Sequence, residues 1–371
     1  MAGNVRVLVV DDSALMREMI CDFLAEAPGI EVAGTAANGR KALDMLDSTN
    51  PDVVTLDVQM PEMDGLTTLD EILKRRPLPV IMFSSLTTRG ATTTLDALDR
   101  GALDYVAKPE GGGPAVHAAL REDLIRKIRT MAGTDVRRML EIRRERAERM
   151  KQRPAQAMPL APGGKIVSQA PHYNDKCIAI GISTGGPPAL AGLFQSLRGP
   201  LPPIVVVQHM PADFTKAFAW RLNSISPLTV KEAESGDVLQ PNHVYIAQGG
   251  KHLHLRKEAG VVKCLARDGE NVSGHKPSVD VMMKCAAEIY GSRCLGVIMT
   301  GMGRDGSDGC GAIRKAGGFT MGQDEASSDV YGMNKVAFVE GNIDRQFHLD
   351  DAASVIATQV RRMWDRAAVG V

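Results

Sequence analysis

The sequence lacks any apolar run long enough to cross a membrane. A transmembrane helix needs roughly 18 consecutive apolar residues, and no stretch of the chain approaches that length. Asn4 leads directly into the short apolar run Val5–Val10, which is typical of a buried strand and not of a signal peptide. We therefore expect a cytoplasmic protein without membrane insertion.

The chain also lacks net charge, paired cysteines and internal repeats. Its 44 Lys and Arg balance 44 Asp and Glu, which gives no indication of nucleic acid or an anionic membrane as a partner. The six cysteines include no C-x-x-C pair and no zinc-type spacing, so we expect reduced thiols in the core. The absence of a repeat excludes a solenoid or propeller.

Short apolar runs alternate with helical patterns in two parts of the chain, which predicts two α/β domains. We expect the first domain over residues 1–130 and the second over residues 177–371. The connection, residues 131–176, begins with the segment Val136–Arg153, which has eight Lys or Arg against three Glu, and continues with a stretch rich in Pro, Ala and Gly. A solvated helix followed by a flexible linker fits this composition better than a contact with nucleic acid.

Acidic side chains follow two predicted strands of the first domain. Asp11 and Asp12 come directly after Val5–Val10, and Asp57 follows the run Val53–Leu56. In a parallel α/β sheet, ligands bind in the crevice beyond these strand ends. Three converging carboxylates repel one another unless a hard divalent cation neutralises them, and oxygen ligands suit magnesium. The sequence therefore predicts a Mg²⁺ site.

A hydroxyl and an ammonium group are predicted at the same sheet edge. Ser84 ends the apolar run Val80–Phe83, and Lys108 follows a further strand in the segment Tyr-Val-Ala-Lys-Pro. Taken singly, the acidic residues could merely cap a helix or end a strand. Together, these groups form a phosphoryl-transfer site in which Asp57 is the nucleophile.

The ordered motifs VVDDSALMR, TLDVQMPEMDGL, VIMFSS and GALDYVAKP resemble the response-regulator receiver family over the whole first domain. The resemblance implies a flavodoxin-like fold with Asp57 as the phospho-acceptor. It implies four magnesium ligands, which are Asp11, Asp12, Asp57 and the main-chain carbonyl of Gln59. It also implies three residues that respond to the phosphoryl group, namely the sensing lysine Lys108, the switch hydroxyl Ser84 and the switch aromatic Tyr105.

Three strand ends of the second domain carry a serine, a histidine and an aspartate. The run Cys177–Ile182 leads into Ser183 on a Gly-rich turn, His209 follows the next apolar strand, and Asp305 lies in the loop after a third. These are the components of an activated serine nucleophile, in which His209 takes the hydroxyl proton and Asp305 orients the imidazole. The chain order and the turn GISTGG differ from those of an α/β-hydrolase, so we expect a different, doubly wound Rossmann-like fold.

The loop that contains Asp305 supports a competing hypothesis. Gly301-x-Gly303-x-x-Gly306 after a strand is a formal dinucleotide fingerprint, and Asp324 lies 18 residues past Gly306. On this alternative, the chain is a response regulator whose second domain binds a dinucleotide or a protein partner and hydrolyses nothing. It is the weaker interpretation because it leaves the serine and the histidine without a role.

The motifs AIGISTGGPPAL, VVVQHMP, SGHKPSVDVMM and VIMTGMGRDGSDG resemble the catalytic domain of the chemotaxis protein-glutamate methylesterases, and the preceding receiver and basic linker match that layout. The resemblance implies Ser183 as nucleophile, His209 as general base and Asp305 as the orienting acid. It further implies that Thr184 flanks the nucleophile and that the backbone N–H of Met302 donates to the oxyanion.

The same resemblance implies the substrate and the partners. The substrate class is a glutamate methyl ester on the cytoplasmic helices of chemoreceptors, and selected glutamines are deamidated through the same tetrahedral intermediate. A chemotaxis histidine kinase supplies the phosphoryl group that activates the hydrolase. We further expect a monomer whose esterase domain needs no cofactor.

Two further segments that contain histidine give weaker indications of a functional site. His252 and His254 lie on one side of a predicted strand and could bind a metal, but no third ligand accompanies them, so half-exposed strand histidines are the better interpretation. In the segment His275-Lys-Pro-Ser278, the serine is predicted to cap a helix. We expect this segment near the rim of the active site.

Overall fold

The computed structural model describes residues 3–85, 87–109, 111, 113–152 and 171–365. The chain divides into two compact units, the first ending at Gln152 and the second beginning at Arg153. Each unit contains a parallel sheet with flanking helices, as the sequence predicts. Within the described ranges, no helix is long and apolar enough to span a membrane.

The first unit alternates strands with helices. Its strands are β1 (Val5–Val10), β2 (Ile30–Ala36), β3 (Val53–Asp57), β4 (Val80–Ser84) and β5 (Asp104–Ala107). Its helices are α1 (Ala14–Ala25), α2 (Gly39–Thr49), α3 (Gly65–Arg75), α4 (Thr88–Arg100), α5 (Pro114–Met131) and α6 (Val136–Gln152). The sheet order is β2-β1-β3-β4-β5, so the direction of winding reverses between β1 and β3. This is the flavodoxin-like arrangement, and its ligand crevice lies at that reversal.

The central strands of the first sheet are almost continuously apolar because helices cover both faces of a parallel sheet. All residues of β3 and β4 are buried. Each of these strands is one residue longer than predicted, so that Asp57 and Ser84 are the last strand residues and not the first loop residues. Helix α3 begins next to this edge, and the Asp64 carboxylate caps it by accepting from the Thr67 amide at 2.8 Å.

Helix α6, which the composition places in the linker, packs against the first unit. Val136 and Met139 are buried, and the Arg143 guanidinium donates to the Leu98 carbonyl in α4 at 3.0 Å. The Pro-rich part of the predicted linker falls on residues 153–170, outside the described residues. The domain limits near residues 130 and 177 therefore stay predictions.

The second unit has a larger sheet. Its strands are β6 (Cys177–Ile182), β7 (Ile204–Gln208), β8 (Thr229–Glu232), β9 (His243–Ile246), β10 (His252–Glu258), β11 (Val261–Arg267), β12 (Cys294–Ile298), β13 (Phe319–Gln323) and β14 (Arg345–Phe347). Its helices are α7 (Gly186–Ser196), α8 (Ala212–Ile225), α9 (Val279–Tyr290), α10 (Ser307–Lys315), α11 (Met333–Val339) and α12 (Ala352–Trp364). The parallel sheet has the order β14-β13-β12-β6-β7-β9-β8, and β10 pairs with β11 as a separate antiparallel hairpin.

The topology of the second sheet decides where a ligand can bind. Strand β6 lies between β7 on one side and β12 on the other, and the direction of winding reverses between β6 and β12. All residues of β6, β7 and β12 are buried, which fixes them as the centre of the core. The carboxyl ends of these central strands form the crevice of a doubly wound sheet. Strand β12 ends at Ile298, so the segment from Met299 to Gly306 is loop.

Candidate active site and receiver site

Ser183 lies where β6 turns into α7. Its amide donates to the Thr300 carbonyl at 3.0 Å, and its own carbonyl accepts from the Gly186 amide at 2.8 Å. Gly185 takes a left-handed φ of 77° at the start of α7, which allows the sharp turn. Ser183 is 8% exposed and lies beside a helix N-terminus, where negative charge is favoured.

The loop after β12 lies directly against this turn. A Cβ atom built on Gly301 would stand 2.8 Å from the Cβ atom of Ser183, so the approach requires glycine. The Thr300 hydroxyl donates to the Thr184 carbonyl at 3.0 Å and thereby ties the loop to the turn. Met302 follows Gly301 and is buried. The fold therefore brings Thr184 and the backbone of Met302 close to Ser183, and the oxyanion role of Met302 stays a prediction.

His209 follows β7, and its imidazole contacts Asp305. The distance from His209 Nε2 to Asp305 Oδ2 is 2.8 Å, and the two side chains are 8% and 0% exposed. Because an ionised carboxylate only accepts hydrogen bonds, Nε2 carries the proton. The basic nitrogen is then Nδ1, which is buried and has no hydrogen-bond partner in the structure as described. Ser183 Oγ does not yet bond this nitrogen, as is common in hydrolases without substrate.

The Asp305 carboxylate lies at the N-terminus of α9. Its Oδ1 atom accepts from the Ser278 hydroxyl at 2.8 Å and the Asp280 amide at 3.0 Å. Its Oδ2 atom accepts from the Val279 amide at 2.7 Å as well as from His209. Burial opposes ionisation, but the contact with His209 and the backbone amides outweigh it and lower the pKa of Asp305 to about 2. Asp305 is therefore ionised at neutral pH and can stabilise an imidazolium at His209.

A second carboxylate, Asp280, makes the reciprocal contact at α10. Its Oδ1 atom accepts from the amides of Gly306 at 2.9 Å and Gly309 at 2.7 Å, and its Oδ2 atom accepts from the Ser273 hydroxyl at 3.1 Å. Asp305 thus precedes α10 and caps α9, whereas Asp280 belongs to α9 and caps α10. Burial, together with the neighbouring charge of Asp305, raises the pKa of Asp280. The two helix N-termini are linked through these carboxylates.

This link argues against the dinucleotide alternative. A pyrophosphate needs free amides at the start of the helix that follows the Gly-rich loop. The amides of Gly306 and Gly309 already donate to Asp280. Asp324, the proposed ribose-binding acid, instead accepts from the amide and hydroxyl of Ser327 at 3.0 and 2.6 Å. The structure therefore does not support nucleotide binding at this loop.

Two contacts at the active site were not predicted. The amide group of Gln208 donates to the carbonyls of Ser183 at 3.0 Å and His209 at 3.1 Å, so it joins the two turns. The ring of His275 lies flat on the ring of His209, with 3.8 Å between the centroids and 6° between the planes. Gln208 ends a strand and His275 lies in a turn, so neither could be paired with the triad from sequence spacing alone.

The predictions for the other histidine segments are partly correct. Ser278 caps α9, since its hydroxyl accepts from the Val281 amide, and the segment from His275 lies at the site as expected. His252 is not half-exposed but buried at 4% exposure. Its Nε2–H donates to the Glu270 carbonyl at 2.8 Å, and its Nδ1 accepts from the Ser278 amide at 3.2 Å. Both nitrogens are thus occupied within the protein.

The carboxylates of the first unit meet at the reversal between β1 and β3. One oxygen from each of Asp11, Asp12 and Asp57 lies within 4.8 Å of the others. Lys108 Nζ lies 2.9 Å from Asp11 Oδ2 and 2.8 Å from Asp57 Oδ2. Burial raises the pKa of Asp57, although the hydrogen bond from Lys108 acts in the opposite direction. Three carboxylates beside one ammonium group fit the oxygen donor set that Mg²⁺ prefers.

The remaining receiver residues lie around this cluster. The backbone amide of Gln59 donates to Asp57 Oδ1 at 3.3 Å. Ser84 is fully buried at the end of β4, where its carbonyl accepts from the Lys108 amide at 2.7 Å. Tyr105 is 5% exposed, and burial raises the pKa of its hydroxyl well above the usual value. The Lys127 ammonium group lies 5.3 Å from the centroid of the Tyr105 ring. The switch roles of Ser84 and Tyr105 stay predictions.

Comparisons with known proteins match both units. The family CheB methylesterase matches residues 178–356, and the response regulator receiver domain matches residues 7–120. A protein-glutamate methylesterase/protein-glutamine glutaminase of Treponema denticola is 43% identical over 365 residues, which covers 95% of this chain and 97% of the relative. A protein of the same name from Archaeoglobus fulgidus is 44% identical and covers 91% of this chain and 93% of the relative. The crystal structure of the Thermotoga maritima CheB methylesterase catalytic domain is 40% identical, covers 50% of this chain and 98% of that chain, and has a TM-score of 0.49.

A receiver domain, followed by a second domain with a Ser, a His and an Asp in the segments after three neighbouring strands, defines a response regulator with a hydrolase output. The chain belongs to the CheB methylesterase family.

The four hydrogen bonds to Asp305 should contribute to the stability of the second unit. Replacing Asp305 with Ala leaves the buried Ser278 hydroxyl and two amides of α9 without an acceptor, which we expect to destabilise the second unit by about 2–4 kcal/mol. Asp305→Asn keeps one carbonyl oxygen as an acceptor and should lower the free energy of unfolding less than Asp305→Ala does. Urea unfolding followed by tryptophan fluorescence measures this unit alone, because Trp220 and Trp364 are the only tryptophans. Asp308→Ala is the control, since this half-exposed residue forms surface ion pairs with Lys284 and Arg304.

The pH dependence of this effect follows from the pKa of Asp305. A carboxyl whose pKa is about 2 in the folded state and about 3.9 in the unfolded state contributes stability that is fully present above pH ~4. This contribution is lost as the pH falls through about 2. The stability difference between wild type and Asp305→Ala should therefore shrink below pH ~4. An Ala variant as stable as wild type at pH 7 would contradict the assignment.

Proposed function

We propose that this chain removes methyl groups from glutamate methyl esters on chemoreceptors, deamidates selected receptor glutamines, and thereby resets receptor sensitivity in chemotaxis adaptation. Ser183, His209 and Asp305 are the catalytic residues of this proposal. The observation that carries it is the 2.8 Å contact between His209 and the fully buried, ionised Asp305. These two residues lie in the segments that follow β7 and β12, the strands on either side of the strand that ends before Ser183. The names of the relatives support the choice of substrate.

The reaction follows from the orientation of the imidazole. Ser183 Oγ attacks the ester carbonyl carbon while Nδ1 of His209 takes the hydroxyl proton, and Asp305 stabilises the resulting imidazolium. The carbonyl oxygen becomes negative and accepts from the Met302 amide next to the N-terminus of α7. When the carbon–methoxy bond breaks, His209 returns the proton and methanol leaves. Water then attacks the acyl-enzyme with His209 again as base, which releases the glutamate carboxylate and restores Ser183.

Deamidation of glutamine uses the same residues. Attack on the side-chain amide forms the same kind of tetrahedral intermediate, and ammonia takes the place of methanol as the leaving group. Nothing in this mechanism requires a cofactor in the second unit. The basis for this expectation is that proton transfer and oxyanion stabilisation are both supplied by side chains and backbone amides.

In the receiver, we propose that Asp57 accepts a phosphoryl group from a chemotaxis histidine kinase. Asp11, Asp12, Asp57 and the Gln59 carbonyl would hold a magnesium ion, which when bound supplies positive charge to the phosphoryl oxygens. Lys108 Nζ, which lies 2.8 Å from Asp57 Oδ2 in the free protein, would then turn to a phosphoryl oxygen. Ser84 and Tyr105 respond to the new charge. We place the protein in the cytoplasm, because both its kinase and its receptor substrate would present their reacting groups there. We further propose that it is a monomer.

The triad predicts how methanol release from methylated receptor membranes responds to substitution. Ser183→Ala removes only a hydroxyl from a turn held by backbone bonds, so the variant should fold normally and lose at least about 10³-fold in rate. His209→Ala should be similarly impaired, and Asp305→Asn should keep more activity. Far-UV circular dichroism serves as the control for folding. Near-normal methanol release by Ser183→Ala would show that another group is the nucleophile.

The receiver predicts that activation requires Asp57 and a divalent cation. Acetyl phosphate with Mg²⁺ should raise methanol release by the wild type and transfer ³²P from a labelled donor to the protein. Asp57→Asn keeps the side-chain shape without the nucleophile, so it should show neither response. Asp52→Asn is the matched control, because Asp52 is an exposed residue before the same strand. Label retained by Asp57→Asn, or uptake unchanged by a chelator, would refute the phosphorylation site.

A further inference from the structure

The turn that carries His275 is rigidly built. The amide of His275 donates to the Val272 carbonyl at 3.0 Å, and the amide of Val272 donates back to the His275 carbonyl at 3.1 Å. Ser273 and Gly274 between them take positive φ values of 52° and 79°. The His275 ring is itself fixed, since Nδ1–H donates to the Ser273 carbonyl at 2.9 Å. The plane of this imidazole is therefore set by its own turn.

Among the described residues, the ring of His209 makes one directed hydrogen bond. Nε2 bonds Asp305, while Nδ1 has no hydrogen bond to any described residue. A ring held at one nitrogen can still swing about that bond, and such a swing changes the direction in which Nδ1 points. The face of His275, parallel to within 6° at 3.8 Å, removes this freedom.

We infer that His275 is a positioning residue that holds the His209 imidazole in the plane from which Nδ1 takes the Ser183 proton. The inference rests on the proposed triad. The stacking also affects the positive charge that His209 acquires during the reaction. When His209 becomes an imidazolium, the π face of a neutral His275 stabilises the cation, so the contact is stronger in the transition state than in the ground state.

The same three side chains could also be considered as a metal site, because ligand atoms of His209, His275 and Asp305 lie within 4.8 Å of one another. The contacts argue against it. Each oxygen of Asp305 already accepts from two donors. Two imidazoles stacked in parallel also direct their nitrogen lone pairs side by side and not toward one point. The cluster is therefore explained by stacking.

The test uses a fluorophosphonate, which reacts with the serine hydroxyl and needs the base but no receptor. In the intact chain, His275→Ala should slow the labelling of Ser183 by about ten-fold, and it should lower kcat for methanol release by a similar factor with KM unchanged. His275→Phe keeps a flat ring on the same backbone turn but loses the Nδ1–H bond to Ser273. It should restore both rates to within about three-fold of wild type, because the stacked face and not this bond holds the His209 ring. His172→Ala is the control, because it removes an exposed imidazole that contacts Tyr173 and Asp365 instead.

The outcomes separate the inference from the proposed function. Equal labelling of wild type and His275→Ala would overturn the inference, as would a Phe variant as slow as Ala or a change in KM alone. Labelling of His209→Ala at the wild-type rate would overturn the triad itself. If Ser183 is labelled but no methanol is released from receptors, the proposed substrate is wrong while the inference about His275 stands. Should the Ala variant unfold, the Phe variant still decides the question, because a role for the polar atoms of His275 predicts a slow Phe variant.

Discussion

The Asp305 carboxylate at the N-terminus of α9 is the contact on which the catalytic half of the structure depends. It accepts from two amides, a hydroxyl and the His209 imidazole, and is fully buried. A buried charge is tolerated only when hydrogen bonds replace its hydration. The helix N-terminus supplies these bonds, and in return the carboxylate fixes one nitrogen of His209. The same carboxylate oxygens therefore stabilise the start of α9 and orient the imidazole of His209, the proposed base.

The pairing with Asp280 extends this constraint to a second helix. Helix α9 leaves the turn that carries His275, and α10 follows the loop that carries Asp305. Because each carboxylate caps the other helix, a shift of either helix would displace both the orienting acid and the stacked imidazole. In the receiver, a lysine and not a helix N-terminus offsets the negative charge of the carboxylates. There the converging carboxylates are held by Lys108, an ammonium group that can exchange partners, which suits a site whose charge must change.

Strand ends could be predicted from sequence because parallel sheets place them at a common edge. Apolar runs predict β1, β3, β4 and β6 to within one residue, and the residues after them belong to the two candidate sites. The role of Ser278 as the N-cap of α9 could also be predicted, since a serine precedes a helical pattern there. These successes depend on local patterns of two to ten residues.

The contacts that sequence reasoning missed are long-range. Asp280 lies 26 residues from Gly306, and no pattern within α9 shows that α10 packs beside it. The stacking of His275 on His209 depends on a turn geometry that Ser273 and Gly274 only suggest. The basic composition of α6 does not indicate that Val136 and Met139 are buried. The antiparallel hairpin of β10 and β11 lies between α/β elements and was not foreseen.

The most direct test of the account is the protonation state of the His209 ring. Long-range ¹H–¹⁵N correlation NMR on the chain labelled at histidine, assigned with His209→Gln, reports which nitrogen carries the proton near neutral pH. The account predicts the Nε2–H tautomer, with the proton shifted downfield by Asp305 and an unprotonated Nδ1 facing Ser183. Loss of Asp305 in the Asn variant should abolish the downfield signal. A ring protonated at Nδ1 in the wild type would contradict the arrangement of acid, base and nucleophile proposed for this enzyme.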